Sequence, residues 1–173
     1  YLANVVDYVQ NGGAVLTAAG PAFATPLSLH RTPLAHVLPS QPTGAVLTAG
    51  YRPELTVLGR RHPVTADLPG AGEPGKTPTW GRWFRLIDVE GPQGTTLMSG
   101  MSGKPLLILD RVGKGRVAQL LSDHAWLWAR GYESGGPQSE LLRRIAHWLM
   151  KEPDLEEEDL RAKSEGSRLT ITR

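Results

Sequence analysis

Asp123 and His124 stand side by side just beyond the apolar run Val117 to Leu121. A carboxylate beside an imidazole can hold a cation, face a polar ligand, or move protons as an acid–base pair. The local alternative is an Asp123 that caps the next turn and a solvated His124. Hydrolysis would also need an attacking atom, and the chain contains no cysteine. Thiolate chemistry, disulfides and Cys-based metal sites are therefore excluded. The segment after Leu16 offers Thr17, Ala18, Ala19 and Gly20. An alanine methyl cannot attack a carbonyl, and Thr17 has no identifiable base beside it. His30, His36, His62 and His147 show neither HxH nor HExxH spacing, so a zinc reading is weak. No catalytic residue, metal or cofactor is expected.

Gly100-Met101-Ser102-Gly103-Lys104-Pro105 superficially combines a serine elbow with a phosphate loop. The second glycine comes one residue early for the elbow. Met98 and Pro105 stand where a phosphate loop needs Gly and Ser or Thr, so a hairpin turn is the better account. Trp126 and Trp128 follow the last apolar run and could line the same rim as Asp123, stacking on a sugar or peptide. With Gly20, Asp123 and His124, they complete the candidate ligand-binding set.

These residues need elements to position them. Leu2, Val5, Val6 and Val9 share one helical face, and Gly12-Gly13 supplies a left-handed cap. Ala14 to Ala18 reads as a short strand buried on both faces. Helix, double glycine and strand form half of a βαβ unit, so the chain is expected to be truncated at its N-terminus. Prolines at 21, 26, 33, 39 and 42 make residues 20–44 a long loop, with Phe23, Leu27, Leu29, Leu34 and Leu38 as a structural cover. Glu54 to Leu58 is a short strand or a helical turn, and Arg61 to Thr65 an exposed turn. Trp83 to Ile87, Thr95 to Ser99, Pro105 to Asp110 and Arg116 to Leu121 are strand candidates. Gly113-Lys114-Gly115 closes a hairpin between the last two. Leu141, Leu142, Ile145, Trp148 and Leu149 mark an amphipathic helix, with Trp148 in the core, and Pro153 ends it. Asp154 to Glu165 reads as an acidic solvated helix or linker, and Arg168 to Thr172 as a strand opening a following segment.

The 173 residues suffice for one domain, 1–152, plus the tail 153–173. Basic and acidic residues, 19 and 17, are spread along the chain, which leaves no electrostatic footprint for nucleic acid. No apolar run reaches the roughly 20 residues needed to cross a bilayer, so no membrane insertion by this segment is expected. The absence of cysteine leaves the compartment open, and the localisation unknown.

Three passages carry a resemblance. The run from Val9 through Gly12-Gly13 to Gly20-Pro21 is similar to the helix, double glycine, strand and elbow of the class I glutamine amidotransferase-like superfamily. Gly113 to His124 resembles that superfamily's closing hairpin and final strand. Thr32-Pro33-Leu34-Ala35-His36-Val37-Leu38-Pro39 looks like variants in large bacterial membrane-anchored proteins. The likeness covers about residues 1–150. It implies a doubly wound, flavodoxin-like α/β fold, mostly parallel, with an antiparallel hairpin at one side of the sheet. Active members place a cysteine on the turn after the strand and a His and Glu pair after a later strand. Here the turn has no cysteine, and Trp126 stands where the glutamate would be. The resemblance therefore implies a pseudoenzyme: a non-catalytic binding or scaffolding module of a larger, membrane-anchored bacterial protein. Its partners would be other domains of that parent or a separate protein. The competing expectation is a hydrolase using Asp123 and His124 with residues from the missing N-terminal half.

Overall fold

The computed structural model describes residues 1–155, 161–165 and 168–172, with side chains described through Leu155. Helix α1 spans Leu2–Gln10 and buries Val6 and Val9, the apolar spacing expected of one helical face. Gly12, at φ +116°, turns the chain into strand β1, Ala14–Ala18. Three short 3-10 turns, Pro21–Ala24, Leu29–Arg31 and Pro33–His36, follow. Next come β2 (Gln41–Leu47), β3 (Glu54–Leu55), β4 (Leu86–Glu90), β5 (Thr95–Ser99), β6 (Pro105–Val112) and β7 (Gly115–Leu120). The chain then forms α2 (Trp126–Ala129) and α3 (Gln138–Leu149). Strands β8 (Arg161–Glu165) and β9 (Arg168–Thr172) pair antiparallel. The expected strand at 168–172 is present, 161–165 is a strand rather than helix or linker, and 156–160 lies outside the described residues.

The main sheet runs β1-β7-β6-β5-β3, and β2 pairs with β4 in a separate two-stranded sheet. Only β1 and β7 run parallel; β3–β5, β5–β6 and β6–β7 are antiparallel. This overturns the doubly wound, flavodoxin-like expectation of a mostly parallel sheet. Connection length explains the difference. A parallel pair needs a crossover of roughly a dozen residues or more, whereas Ser99 and Pro105 are already partners across the β5–β6 turn, as Val112 and Gly115 are across the expected β6–β7 hairpin. That hairpin, expected at one side, lies in the middle of the sheet.

Two further corrections concern burial. β1 lies at the end of the main sheet's strand order, so Leu16 remains 43% exposed rather than buried on both faces. Arg61 to Thr65 is not an exposed turn, because His62, Val64 and Thr65 are buried. Arg144 of α3 donates to the carbonyls of Pro63 and Ala66, and the His62 ring meets Trp148 edge-on. The long connections also carry core side chains. Phe23, Leu34 and Leu38 are buried as expected of a cover, whereas Leu27 and Leu29 are exposed. The end of that loop, residues 41–44, belongs to strand β2 (Gln41–Leu47).

Candidate functional site

The β1 and β7 ends meet in a corner. The amide of Ala19 donates to the Leu120 carbonyl at 2.8 Å, which fixes where β1 stops relative to its neighbour. Gly20 then begins the first 3-10 turn, its carbonyl accepting from the Phe23 amide at 3.0 Å. A Cβ at Gly20 would stand 3.2 Å from Asp123 Oδ2. Gly20 and Asp123, 103 positions apart, therefore face each other across this corner.

A third segment completes it. Residues 84–87 run past the end of β7, tied by the Ile87 amide to the Leu121 carbonyl at 2.9 Å. The Phe84 amide donates to His124 Nδ1 at 3.1 Å. The carbonyl of Arg85 accepts from Ser122 Oγ at 2.6 Å and from the Tyr51 hydroxyl at 2.9 Å. Arg85 Nη1 donates to both oxygens of Asp123, at 3.0 and 2.7 Å. The turn after β7 is capped by Ser122, whose Oγ accepts from the His124 amide at 3.2 Å. Asp123 is thereby left for Arg85, against the local alternative of an Asp cap.

Burial and charge set the chemistry. The His124 side chain is only 15% exposed, and desolvation outweighs the attraction of Asp123, moving its pKa below the ordinary value of 6.5; Arg85 pushes the same way. His124 is therefore neutral at pH 7, and Nδ1 must be unprotonated to accept from Phe84. Its Nε2 lies 3.8 Å from Asp123 Oδ1, too far for a hydrogen bond. Burial also pushes the Tyr51 hydroxyl far above its usual range, so it remains a neutral donor.

The two tryptophans part company. Trp126 is 55% exposed, with its ring 6.4 Å from His124. Trp128 is buried, packed on Trp80 and Trp83, and its Nε1–H donates to the Gly81 carbonyl at 2.8 Å. It anchors the 81–83 segment and contributes no face to the rim. Gly20, Asp123, His124 and Trp126 are thus gathered, and Trp128 is separated from them.

Arg85, Ser122 and Tyr51 were missed in the sequence. A lone arginine inside the apolar run Trp83 to Ile87 was the available signal for Arg85. Gly100 to Pro105 is a hairpin connection, closed by the Gly100 amide on the Lys104 carbonyl at 2.8 Å. Among the described residues no cluster of three or more His, Asp or Glu is placed to hold a metal ion. A larger cavity of about 560 Å³, bounded by Glu54, Arg60, Arg61 and Lys76, contains none of the sequence-predicted residues.

No family model and no curated protein matches this chain. Solved structures do. The cytoplasmic protein STM3548 of Salmonella typhimurium superposes with a TM-score of 0.66 at 19% identity, over 86% of this chain and 59% of that one. The cytoplasmic protein STM1381 of Salmonella typhimurium LT2 gives 0.66 at 20% identity, over 84% and 58%. A cold-adapted β-galactosidase from Rahnella sp. R3 gives 0.56 at 12% identity, over 85% of this chain and 20% of that one. At these identities the likeness shows a shared mixed α/β fold. None of the three is named as a flavodoxin or an amidotransferase. The chain spans under three fifths of the length of the two Salmonella proteins. No described helix is long and apolar enough to cross a membrane.

Proposed function

We propose that this chain is a non-catalytic binding or scaffolding module, glutamine amidotransferase-like in sequence, within a larger protein. Its ligand or partner docks at the corner of Gly20, Asp123, His124 and Trp126. The supporting observation is that Asp123 faces a glycine, with both carboxylate oxygens on Arg85. Ala18, Ala19 and Gly20 supply no attacking side-chain atom, while Trp126 offers an exposed indole beside the corner. Membrane anchorage of the larger protein belongs to the same proposal and rests on the resemblance of residues 32–39.

Intrinsic fluorescence titrated with glycans and cell-wall peptides tests the reading. A ligand stacked on Trp126 shifts the emission, and Trp126→Phe removes that shift. A wild-type spectrum unmoved by every glycan and peptide would reject stacking at this rim.

The competing reading, a hydrolase using Asp123 and His124, draws on the adjacent carboxylate and imidazole, with His124 Nδ1 taken by the Phe84 amide and Nε2–H left as a donor. Replacing both residues with Ala in the complete protein discriminates: an activity left unchanged removes the hydrolase.

A further inference from the structure

Behind the corner, the 3-10 segment covers a cavity of about 160 Å³ whose walls include Ala19, Ala22, Phe23, Leu29 and Leu38. Two polar side chains line it. Thr17 of β1 and Gln119 of β7 are register partners in the parallel pair, so their side chains leave the same face of the sheet. Gln119 is fully buried. Its Oε1 accepts from Ser40 Oγ at 2.6 Å, which turns Nε2 away from that contact. Neither Gln119 Nε2 nor Thr17 Oγ1 has a hydrogen-bond partner among the described residues, although both atoms are buried. Buried polar atoms are normally satisfied, so two orphans lining one small cavity need an explanation.

We propose that this cavity binds a small neutral molecule through a carbonyl oxygen. An sp² oxygen has two lone pairs and accepts from both the amide N–H and the threonine hydroxyl. The remaining walls are apolar, and no Lys, Arg or His lines the cavity. A carboxylate would lose its hydration there without a compensating charge. Size sets a second limit: an apolar cavity of about 150 Å³ admits benzene, so the ligand has roughly six to eight non-hydrogen atoms. This assignment is independent of what docks at the corner.

Cyclohexanone and methylenecyclohexane, matched in shape but not in the oxygen, are the probes. Each is titrated into the ¹⁵N-labelled chain while the side-chain NH₂ resonances of Gln119 are followed. Cyclohexanone should shift them saturably and bind about ten-fold or more tightly than the hydrocarbon, the discrimination expected when buried donors are left unpaired. Gln119→Leu should narrow the difference between the two probes several-fold, the Thr17 hydroxyl remaining as the other donor. Ala22→Phe, altering an exposed wall residue, should fill the cavity and abolish binding without disturbing the core. The proposal fails if cyclohexanone gives no saturable shift up to its solubility limit. It also fails if the probes bind wild type equally, or if binding survives Ala22→Phe. Should Gln119→Leu not fold, the probe comparison and Ala22→Phe decide the matter.

Discussion

His124 ties the candidate site to stability through a proton. Its imidazole accepts from the Phe84 amide and is held below its ordinary pKa of 6.5, chiefly by desolvation. The unfolded chain therefore binds the proton first as the pH drops. The stabilisation is fully present above the unfolded value and is lost as the pH falls through 6.5 towards the lower folded value. Denaturant midpoints measured from pH 8 to 5 should decline over that interval, and His124→Asn should flatten the decline. An identical slope in the variant would show that other groups cause it. Asp123→Asn makes a second prediction. Asp123 raises the His124 pKa against the larger effect of burial, so removing its charge should lower that pKa further in an NMR titration. The cost in stability should stay within about 1 kcal/mol, because the Arg85 pair is about one third exposed on each side. The polar pair was legible in sequence because it directly follows an apolar run. Arg85 was not, since only the fold brings it beside a residue 38 positions later. Exposed Trp126 and buried Trp128 sit two residues apart with the same side chain, and no local pattern separates them.

The elements that carry the corner depend on backbone passing close to backbone. Gly115 opens β7 beside the end of α1, and an added Cβ would overlap the carbonyl oxygens of Val9 and Gly13. Neither acceptor can swing aside as a flexible side chain would. Gly115→Ala should therefore cost about 3 kcal/mol or more in denaturant unfolding, the upper range for overpacking. Gly75→Ala is the contrast. Its φ is +82° but nothing lies within 4 Å, so only backbone strain remains, about 1 kcal/mol. Comparable losses would mean that the close approach at Gly115 is not what limits it. At this scale the sequence was read well wherever a local period dominated. The α1 face, β1, β5 and the β6–β7 hairpin were all recognisable. Strand direction departs from what the resemblance implies because the β5–β6 and β6–β7 connections are too short for crossovers. The helix-facing burial of His62, Val64 and Thr65 was missed for a different reason. The segment is tied to α3, through His62 on Trp148 and Arg144 on the Pro63 and Ala66 carbonyls, far along the chain, and the Arg-His-Pro composition reads as surface.

At the scale of the molecule, the irregular segments belong to the same apolar core as the sheet. Phe23, Leu34 and Val37 from the 3-10 region join Val64, Leu68, Trp80 and Trp83 from the long connection, together with Ile145 and Trp148 of α3. A cover that only rested on the sheet would open on its own and leave the rest folded. Here Phe23, Leu34 and Val37 are buried, although Leu27 and Leu29 are not, so opening the loop exposes core. Leu34→Ala removes one such side chain and should cost about 2 to 5 kcal/mol, as for a core position in regular structure. Its effect on cooperativity separates the two pictures. Tryptophan fluorescence reports mainly on Trp80, Trp83, Trp128 and Trp148, all buried, whereas far-UV circular dichroism reports on the sheet and helices. In one cooperative unit, both probes move to the same lower midpoint in Leu34→Ala. A loss well below 2 kcal/mol, or an extra early transition in either probe, would show that the loop is a detachable lid.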